Sequence, residues 1–328
     1  MNLDAAVSLK QQILALIRQR FGPDQRLVAV GITTSTNKKE KGFVPAVRVL
    51  SRLLRDLPEL VALQQAGRID LKYIGRVRAL SGFTGRKRPL EPGLSVGHHS
   101  GLTGTLGCFV SKPGDPAFRG VLSAQHVLAN GIGGGPGATE YTLQHGPYDG
   151  GMWPTEHVGR VWAAVPIPNP PAHQVSGEST LDCAVAELLP GATATGNTIP
   201  GIGPITGLAP ALAPYLNRPT PFVAKRGRTT GVTKGVVTAI DMDSLPVGYD
   251  DGYSGISVPF SGAFEIEELN GGKFSDRRDS GSLIVDASGL VLGLLFAGSQ
   301  FGPHSRPVTY GLPIAPILAA LGVTIPNG

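Results

Sequence analysis

Apolar positions change their period along this chain. Over residues 4 to 20 ("DAAVSLKQQILALIRQR") they recur at helical spacing with Lys, Arg and Gln between them, which predicts an amphipathic helix closed by Gly22-Pro23. "QRLVAVGITT" (25 to 34) and "FVPAVRVLS" (43 to 51) then read as strands on either side of the polar turn "STNKKEKG". "RLLRDLPELVALQQAG" returns to helical spacing, with Pro58 at an entry or kink. "RIDLKYIGRVRAL" (68 to 80) alternates like a third strand. This α-β-β-α-β order predicts a small α/β domain with a three-stranded sheet, a polar surface and no catalytic constellation.

A turn-rich loop over roughly 81 to 100 changes the texture. From Gly104 short apolar runs alternate with Gly, Pro, Asn and Asp clusters: "GTLGCFVSK", "FRGVLSA", "HVGRVWAAVPI", "LDCAVAELL", "PFVAKRGR", "TKGVVTAIDM", "GAFEIEEL", "GSLIVD", "LVLGLLFAG". Many short strands with punctuating turns predict an all-β barrel or sandwich. "LPIAPILAALGV" (312 to 323) closes the chain as a short helix, with Pro313 or Pro316 in its first turn and Gly322 at its end. The divisions drawn are 1–95 for the small domain, 96–215 for a first barrel and 216–328 for a second. "NGIGGGPG" (130 to 137) lies in no strand-to-helix unit and reads as a flexible loop, not a phosphate cradle. The Pro-rich "VPIPNPPAHQVSGEST" (165 to 180) reads as a surface excursion.

Composition narrows the class. The chain is 41% hydrophobic and 16% charged over 328 residues, which suits a sizeable core and excludes global disorder. Its 46 glycines and 28 prolines exceed the usual ~7% and ~5%, as turn-rich β structure requires. The net charge of +5 is scattered, and "GRKR" at 85–88 reads as a solvated loop, so no nucleic-acid partner is expected. Two cysteines in apolar runs, Cys108 and Cys183, read as buried thiols. With no cleavable leader and no run long enough to span a bilayer, the expectation is a soluble cytoplasmic protein without a membrane partner.

Candidate chemistry comes from screening the seven histidines for a general base. His98 and His99 lie in the polar loop, and His145, His157, His173 and His304 sit in Gly/Pro-rich segments. His126 follows the strand "RGVLSA" and opens the helical turn "QHVLAN", a placement that faces a cleft on a rigid backbone. Its competing reading is a structural histidine. Asp182 starts the apolar run "LDCAVAEL", where a carboxylate needs a partner; a plain strand-boundary acid is the alternative. Ser280 lies in "DSGS" ahead of two strands joined by "ASG". Alone it is a serine in a turn.

Together, "LSAQHVLAN", "LDCAVAEL" and "DSGSLIVDASGLVLGLLFAG" resemble the three catalytic blocks of trypsin-like (chymotrypsin-fold) serine peptidases, and "VAKRGRTTGVTKGVVTAI" resembles the strand pair opening their second barrel. The resemblance covers residues 100 to 323, and the whole chain is similar to a bacterial group that also resembles the plant narrow-leaf type. It implies a mostly β, two-barrel fold and a serine endopeptidase acting on protein or peptide substrates without cofactor or metal. His126 would be the base, Asp182 the orienting acid and Ser280 the nucleophile. The Arg278 and Ser280 backbone N–H groups would form the oxyanion hole. Phe296, Ala297 and Gly298 would pair with substrate backbone, and Phe274 and Ser275 would form the base and wall of the P1 pocket. Some bacterial relatives are encoded beside gasdermin or antiphage-defence genes.

Two departures matter. Arg278 stands where the family has glycine. A side chain keeps the N–H but penalises left-handed backbone by about 1–2 kcal/mol, so a collapsed hole that substrate reopens is expected. Asp279 has no matching activation segment and needs a cation, with Arg277, Arg278, Lys225 and Arg226 as candidates. That leaves room for an activating protein partner. Asp276 would favour a basic P1 residue only if it pointed inward; the preferred reading is an exposed acid paired with Arg277 or Arg278. The rival to an enzyme is a pseudo-peptidase that binds protein, with Arg278 marking lost catalysis. A further rival assigns function to the N-terminal domain.

Overall fold

The computed structural model describes residues 1–21, 28–34, 42–49, 56–73, 83–131, 134–137, 139–168, 181–249, 257–299 and 307–328. The chain divides into two compact units, Met1–Leu80 and Ser81–Gly328.

In the first unit a helix over Leu3–Phe21 precedes β1 (Val28–Thr34) and β2 (Phe43–Val49), then a helix over Pro58–Gln65 and β3 (Asp70–Tyr73). β1 and β2 pair antiparallel, and β2 and β3 pair parallel. Leu9, Ile13 and Ile17 recur every fourth residue, so one helical stripe is buried with Val47, Leu60 and Ile69. The expected small α/β domain is present. Expected strand or helix positions at 25–27, 50–55 and 74–80 lie outside the described residues.

The second unit opens with β4 (Ser95–His98), β5 (Thr103–Thr105), β6 (Cys108–Lys112), β7 (Asp115–Ser123), β8 (Tyr141–Leu143), β9 (His157–Ala164) and β10 (Ala184–Leu188). They form one antiparallel sheet in the order β5-β4-β8-β9-β10-β7-β6, an open barrel. β11 (Thr198–Ile199) and β12 (Gly203–Pro204) pair with each other in the connection. Next come β13 (Gly207–Leu208), β14 (Val223–Gly227), β15 (Gly231–Met242), the small hairpin β16 (Leu245–Gly248) and β17 (Ser257–Phe260), β18 (Ala263–Glu268), β19 (Leu283–Asp286), β20 (Leu290–Ser299) and β21 (Val308–Pro313). The order β20-β19-β14-β15-β18-β21, closed by pairing of β21 with β20, makes a six-stranded barrel, with β13 added outside on β20. A helix over Ile314–Leu321 ends at Gly322, whose φ of +63° suits glycine. This is the expected mostly β, two-barrel architecture with a C-terminal helix.

The continuous apolar runs follow from burial on both faces. In β10, Val185 faces the layer between the barrels while Ala184 and Ala186 face the first barrel's interior. In β19, Leu283 and Val285 join that shared layer and Ile284 enters the second barrel. Cys108 and Cys183 are buried free thiols in the shared layer. Two sequence-drawn boundaries need correction. Leu90 and Leu94 pack in the first barrel's core, so residues 83–95 belong with the barrels. Leu208 pairs with Val291, and the Tyr215 hydroxyl donates to Asp286 Oδ2 at 2.9 Å, so residues 207–215 belong to the second barrel. Among the described residues, no helix is long and apolar enough to cross a membrane.

Candidate active site

His126 rides on the helical turn Gln125–Leu128 that follows β7, and the buried Val127 and Leu128 anchor it in the first barrel's core. Its side chain retains 12% exposure. Asp182 stands just ahead of β10 and is fully buried. The two meet with Nδ1 2.6 Å from Asp182 Oδ2, and the His126 backbone N–H donates to Oδ1 at 3.2 Å. A carboxylate acceptor fixes the proton on Nδ1 and leaves Nε2 with a lone pair. A third donor was not legible in the sequence: the Tyr249 hydroxyl, 2.7 Å from Oδ2. The Tyr249 ring also lies edge-on to His126, with centroids 5.6 Å apart. Burial alone would raise the pKa of Asp182. The neighbouring imidazole and the three hydrogen bonds outweigh burial and hold it below the ordinary value. Burial, the adjacent carboxylate and the bond to it raise the Tyr249 phenol well above its ordinary value, so it is a fixed donor.

Ser280 comes from the second barrel, on the loop before β19, and is held by the first. Thr105 N–H donates to the Ser280 carbonyl at 2.8 Å, and Thr105 Oγ1 donates to the Arg278 carbonyl at 3.1 Å. Gly104 lies between Val127 and Ser280: a Cβ there would sit 2.4 Å from Val127 Cγ2 and 2.7 Å from the Ser280 carbonyl oxygen. The base-bearing turn and the nucleophile loop are therefore separated by one glycine. Gly281 has φ +91°, and a Cβ on it would meet Ser123 Oγ at 2.0 Å, so only glycine fits this seam. The Ser280 hydroxyl donates to the Phe296 carbonyl at 3.2 Å. Among the described residues no hydrogen bond joins Ser280 to His126.

The cation for Asp279 is Lys225. Both side chains are fully buried, with Nζ 3.4 Å from Oδ2. Asp279 also accepts from the Thr229, Thr230 and Asp276 backbone N–H groups and from the Thr230 hydroxyl. Burial lowers the Lys225 pKa to about 8 against the opposing pull of Asp279. Arg226 instead pairs with Glu91 at 2.9 Å.

Arg278 adopts φ +73°, the left-handed region a glycine would occupy without strain. The expected collapse of the loop is not found. Collapse would turn the Arg277 carbonyl toward the Ser280 amide, yet the Thr229 hydroxyl holds that carbonyl at 2.7 Å. The two ends of a trans peptide point apart, so the Arg278 N–H faces away from Thr229. Among the described residues, neither the Arg278 nor the Ser280 N–H has an acceptor.

The substrate-side candidates separate. Phe296 has its ring in the core, 4.9 Å from the ring of Phe260, and offers only its backbone to the site. Ala297 and Gly298 pair with Tyr310 and Thr309 of β21, while the β19 pairing ends at Leu283 opposite Leu294, leaving their other edge without a strand partner among the described residues. Phe274 is corrected: at 1% exposure it packs inside the second barrel with Ile266 and Ile284, so it does not floor a pocket. Ser275 does stand beside Gly298, with its hydroxyl 2.6 Å from Thr309 Oγ1, a partner the sequence did not nominate. Asp276 forms its ion pair with Lys273 at 3.0 Å on the exposed side, and from Arg277 it accepts the backbone N–H at 2.8 Å rather than a guanidinium. The missed residues Tyr249, Thr105 and Thr309 carried no local signal, because each acts on a segment distant in sequence. Among the described residues, no group of three or more His, Cys, Asp or Glu side chains forms a metal site.

No protein-family model and no curated protein matches the chain. Solved structures do. Thermobifida fusca protease A is 17% identical with a TM-score of 0.45, covering 73% of this chain and 98% of its own. A glutamic acid-specific serine protease is 20% identical with a TM-score of 0.47, covering 72% and 100%. Nocardiopsis protease is 15% identical with a TM-score of 0.44, covering 72% and 97%.

Proposed function

We propose that this chain is a serine endopeptidase that cleaves protein substrates through an acyl-enzyme. The observation that carries the reading is the buried, three-donor carboxylate of Asp182 holding Nδ1 of His126, beside a nucleophile loop clamped across the two barrels. A histidine oriented by a buried carboxylate is the base that a serine hydroxyl requires. Ser280 Oγ adds to the scissile carbonyl carbon as its proton passes to His126 Nε2. Asp182 balances the imidazolium. The carbonyl oxygen becomes an oxyanion that accepts from the Arg278 and Ser280 N–H groups. The C–N bond then breaks, His126 returns the proton to the departing amine, and water repeats the sequence to release the acyl group. The free edge at Ala297 and Gly298 holds the acyl-side peptide as an added strand.

The hydroxyl of Ser280 must leave the Phe296 carbonyl to reach His126. That bond is the one observation favouring the second reading, a catalytically impaired protein-binding module. Labelling with a fluorophosphonate probe separates the two: wild type is expected to label on Ser280 and Ser280→Ala not to label. Absence of label from wild type, or its persistence in Ser280→Ala, overturns the proposal. Control by an activating partner is supported by Asp279 and the strained Arg278 backbone, and a cytoplasmic setting by the absence of a leader-like or membrane-spanning run in the sequence; a bacterial-defence setting of gasdermin type is supported by the sequence resemblance.

A further inference from the structure

We propose that Arg278 selects an acidic side chain on the leaving-group side of the scissile bond, with Tyr148 as the residue that positions it. The inference rests on the peptidase reading above and deepens it. Its basis is a cation fixed next to the proposed nucleophile with no counter-ion among the described residues.

The guanidinium of Arg278 lies over the Tyr148 ring, with Cζ 3.2 Å from the ring centroid. Tyr148 belongs to the first barrel and is 65% exposed, so the stack lines the surface rather than the core. Its backbone is tied down on both sides. The Tyr148 N–H donates to Thr103 Oγ1 at 2.9 Å, and the neighbouring Asp149 accepts from Ser95 Oγ at 2.5 Å and from Arg228 Nε at 2.9 Å. Asp149 neutralises Arg228, the other arginine near this ring, whose Cζ is 5.7 Å from the centroid. No such partner reaches Arg278: among the described residues its guanidinium has neither a carboxylate nor a carbonyl acceptor. A guanidinium is always charged and presents donors along its edge, and one face on an aromatic ring leaves that edge free for a carboxylate.

The side of the cleavage point follows from the chemistry. The acyl half of the substrate lies along Ala297 and Gly298 of the second barrel. The departing amine must reach His126, which the first barrel carries, so the chain beyond the scissile bond runs over the first barrel. Tyr148 is on that barrel, and Arg278 reaches it from the oxyanion loop. The first or second residue after the cut therefore meets the free edge of this guanidinium.

The test uses the full chain and a proteome-derived peptide library, with both ends of each cut read by mass spectrometry. Asp and Glu are expected to be enriched at the first two positions after the cut. Two internally quenched peptides built on the best-cut sequence, differing only as Glu or Gln at the enriched position, then give a kcat/KM ratio. A partly exposed charge-assisted pair predicts a ratio of about five to ten at low salt, falling toward one at high salt. Each ratio is taken within one variant, which cancels changes in overall rate. Arg278→Gln is expected to bring it to about one, Tyr148→Ala to reduce it, and Tyr148→Phe, which keeps the ring, to preserve it. A wild type that labels on Ser280 but shows a ratio of one overturns the inference and leaves the peptidase reading standing. A ratio unmoved by Arg278→Gln also overturns it. If wild type neither labels nor cleaves any peptide, reading and inference fall together.

Discussion

Tyr249→Phe isolates one hydrogen bond at the centre of the proposed site. The substitution removes a hydroxyl that donates to Asp182 Oδ2 at 2.7 Å and keeps the ring that lies edge-on to His126. Asp182 is fully buried and retains two donors, both from His126. Losing a bond to a buried charged acceptor costs about 1.5–3 kcal/mol. For a domain of this size each kcal/mol moves the Tm by about 2–4 °C, so a fall of roughly 3–12 °C is expected. The pH dependence has a definite sign. The folded pKa of Asp182 is depressed, so its contribution to stability is present above the unfolded carboxylate pKa and is lost as pH falls through the folded value. Removing a donor raises that folded pKa toward the unfolded one. The gap between wild type and variant is therefore widest near neutral pH and narrows as pH falls through the carboxylate range. Differential scanning calorimetry at pH 7.5 and at pH 3 measures both. Activity should fall far less than the ~10⁴-fold expected of Asp182→Asn, because Nδ1 keeps its carboxylate. A variant that melts within 1 °C of wild type at pH 7.5 would refute the claim that this phenol supports the acid.

Four further outcomes follow from the nucleophile loop and its buried cation. Lys225→Met strips the buried carboxylate of Asp279 of its cation and should destabilise by about 3–5 kcal/mol, read by chemical denaturation, with loss of fluorophosphonate labelling. Because burial pulls the Lys225 pKa down to about 8, labelling should decline above that pH. Between about 8 and the unfolded value of 10.5 the unfolded chain holds more protons at this group, so its own share of stability should rise with pH while labelling falls. Gly281→Ala places a Cβ 2.0 Å from Ser123 Oγ at φ +91°, and the added strain of about 1–2 kcal/mol from backbone and 1–3 from overpacking should appear as a lowered Tm and lost labelling. Arg278→Gly should be more stable than Arg278→Ala by about 1–2 kcal/mol, since both lose the stack on Tyr148 and only glycine relieves φ +73°.

The second barrel was the most legible part of the molecule because its strands are short, apolar and separated by turn residues. "GSLIVD", "ASG" and "LVLGLLF" gave the hairpin of β19 and β20, and Gly289 does take φ +85°. The proposed His126, Asp182 and Ser280 set was legible for a related reason: each member sits at the edge of an apolar run. The resemblance misled at Phe274, which it put at the base of a pocket; an aromatic beside a loop has an equal claim to the core, and Phe274 packs there with Ile266 and Ile284. Lys225 was only one of four candidates because "VAKRG" is buried at all five positions, a burial that contradicts the polarity of two of them. Tyr249 was invisible. Its hairpin brings it to Asp182 from 67 residues away, and nothing in "LPVGYDD" states that reach.

The site places its strain where its fixings are densest. Arg278 holds an unfavourable backbone angle, yet both peptides around it are fastened: Thr229 takes the Arg277 carbonyl and Thr105 takes the Arg278 carbonyl. Thr105 Oγ1 also accepts from the Arg228 N–H at 2.9 Å, so one hydroxyl links the two loops of the second barrel to a strand of the first. Three hydrogen bonds at about 0.5–1.5 kcal/mol each cover a left-handed penalty of about 1–2 kcal/mol, so an arginine can hold this backbone angle. In the proposed mechanism Ser280 Oγ exchanges the Phe296 carbonyl for His126 Nε2, one neutral hydrogen bond for another, and a bond of 3.2 Å is long for a hydroxyl donor. Catalytic contacts commonly tighten only when substrate arrives. On the peptidase reading, leaving the Phe296 carbonyl gives up one weak hydrogen bond. Acylation of Ser280 by a probe that fills the oxyanion site, in wild type but not in Thr105→Val, would show that the clamp across the barrels, rather than the serine's resting partner, governs reactivity; equal labelling of both would show that it does not.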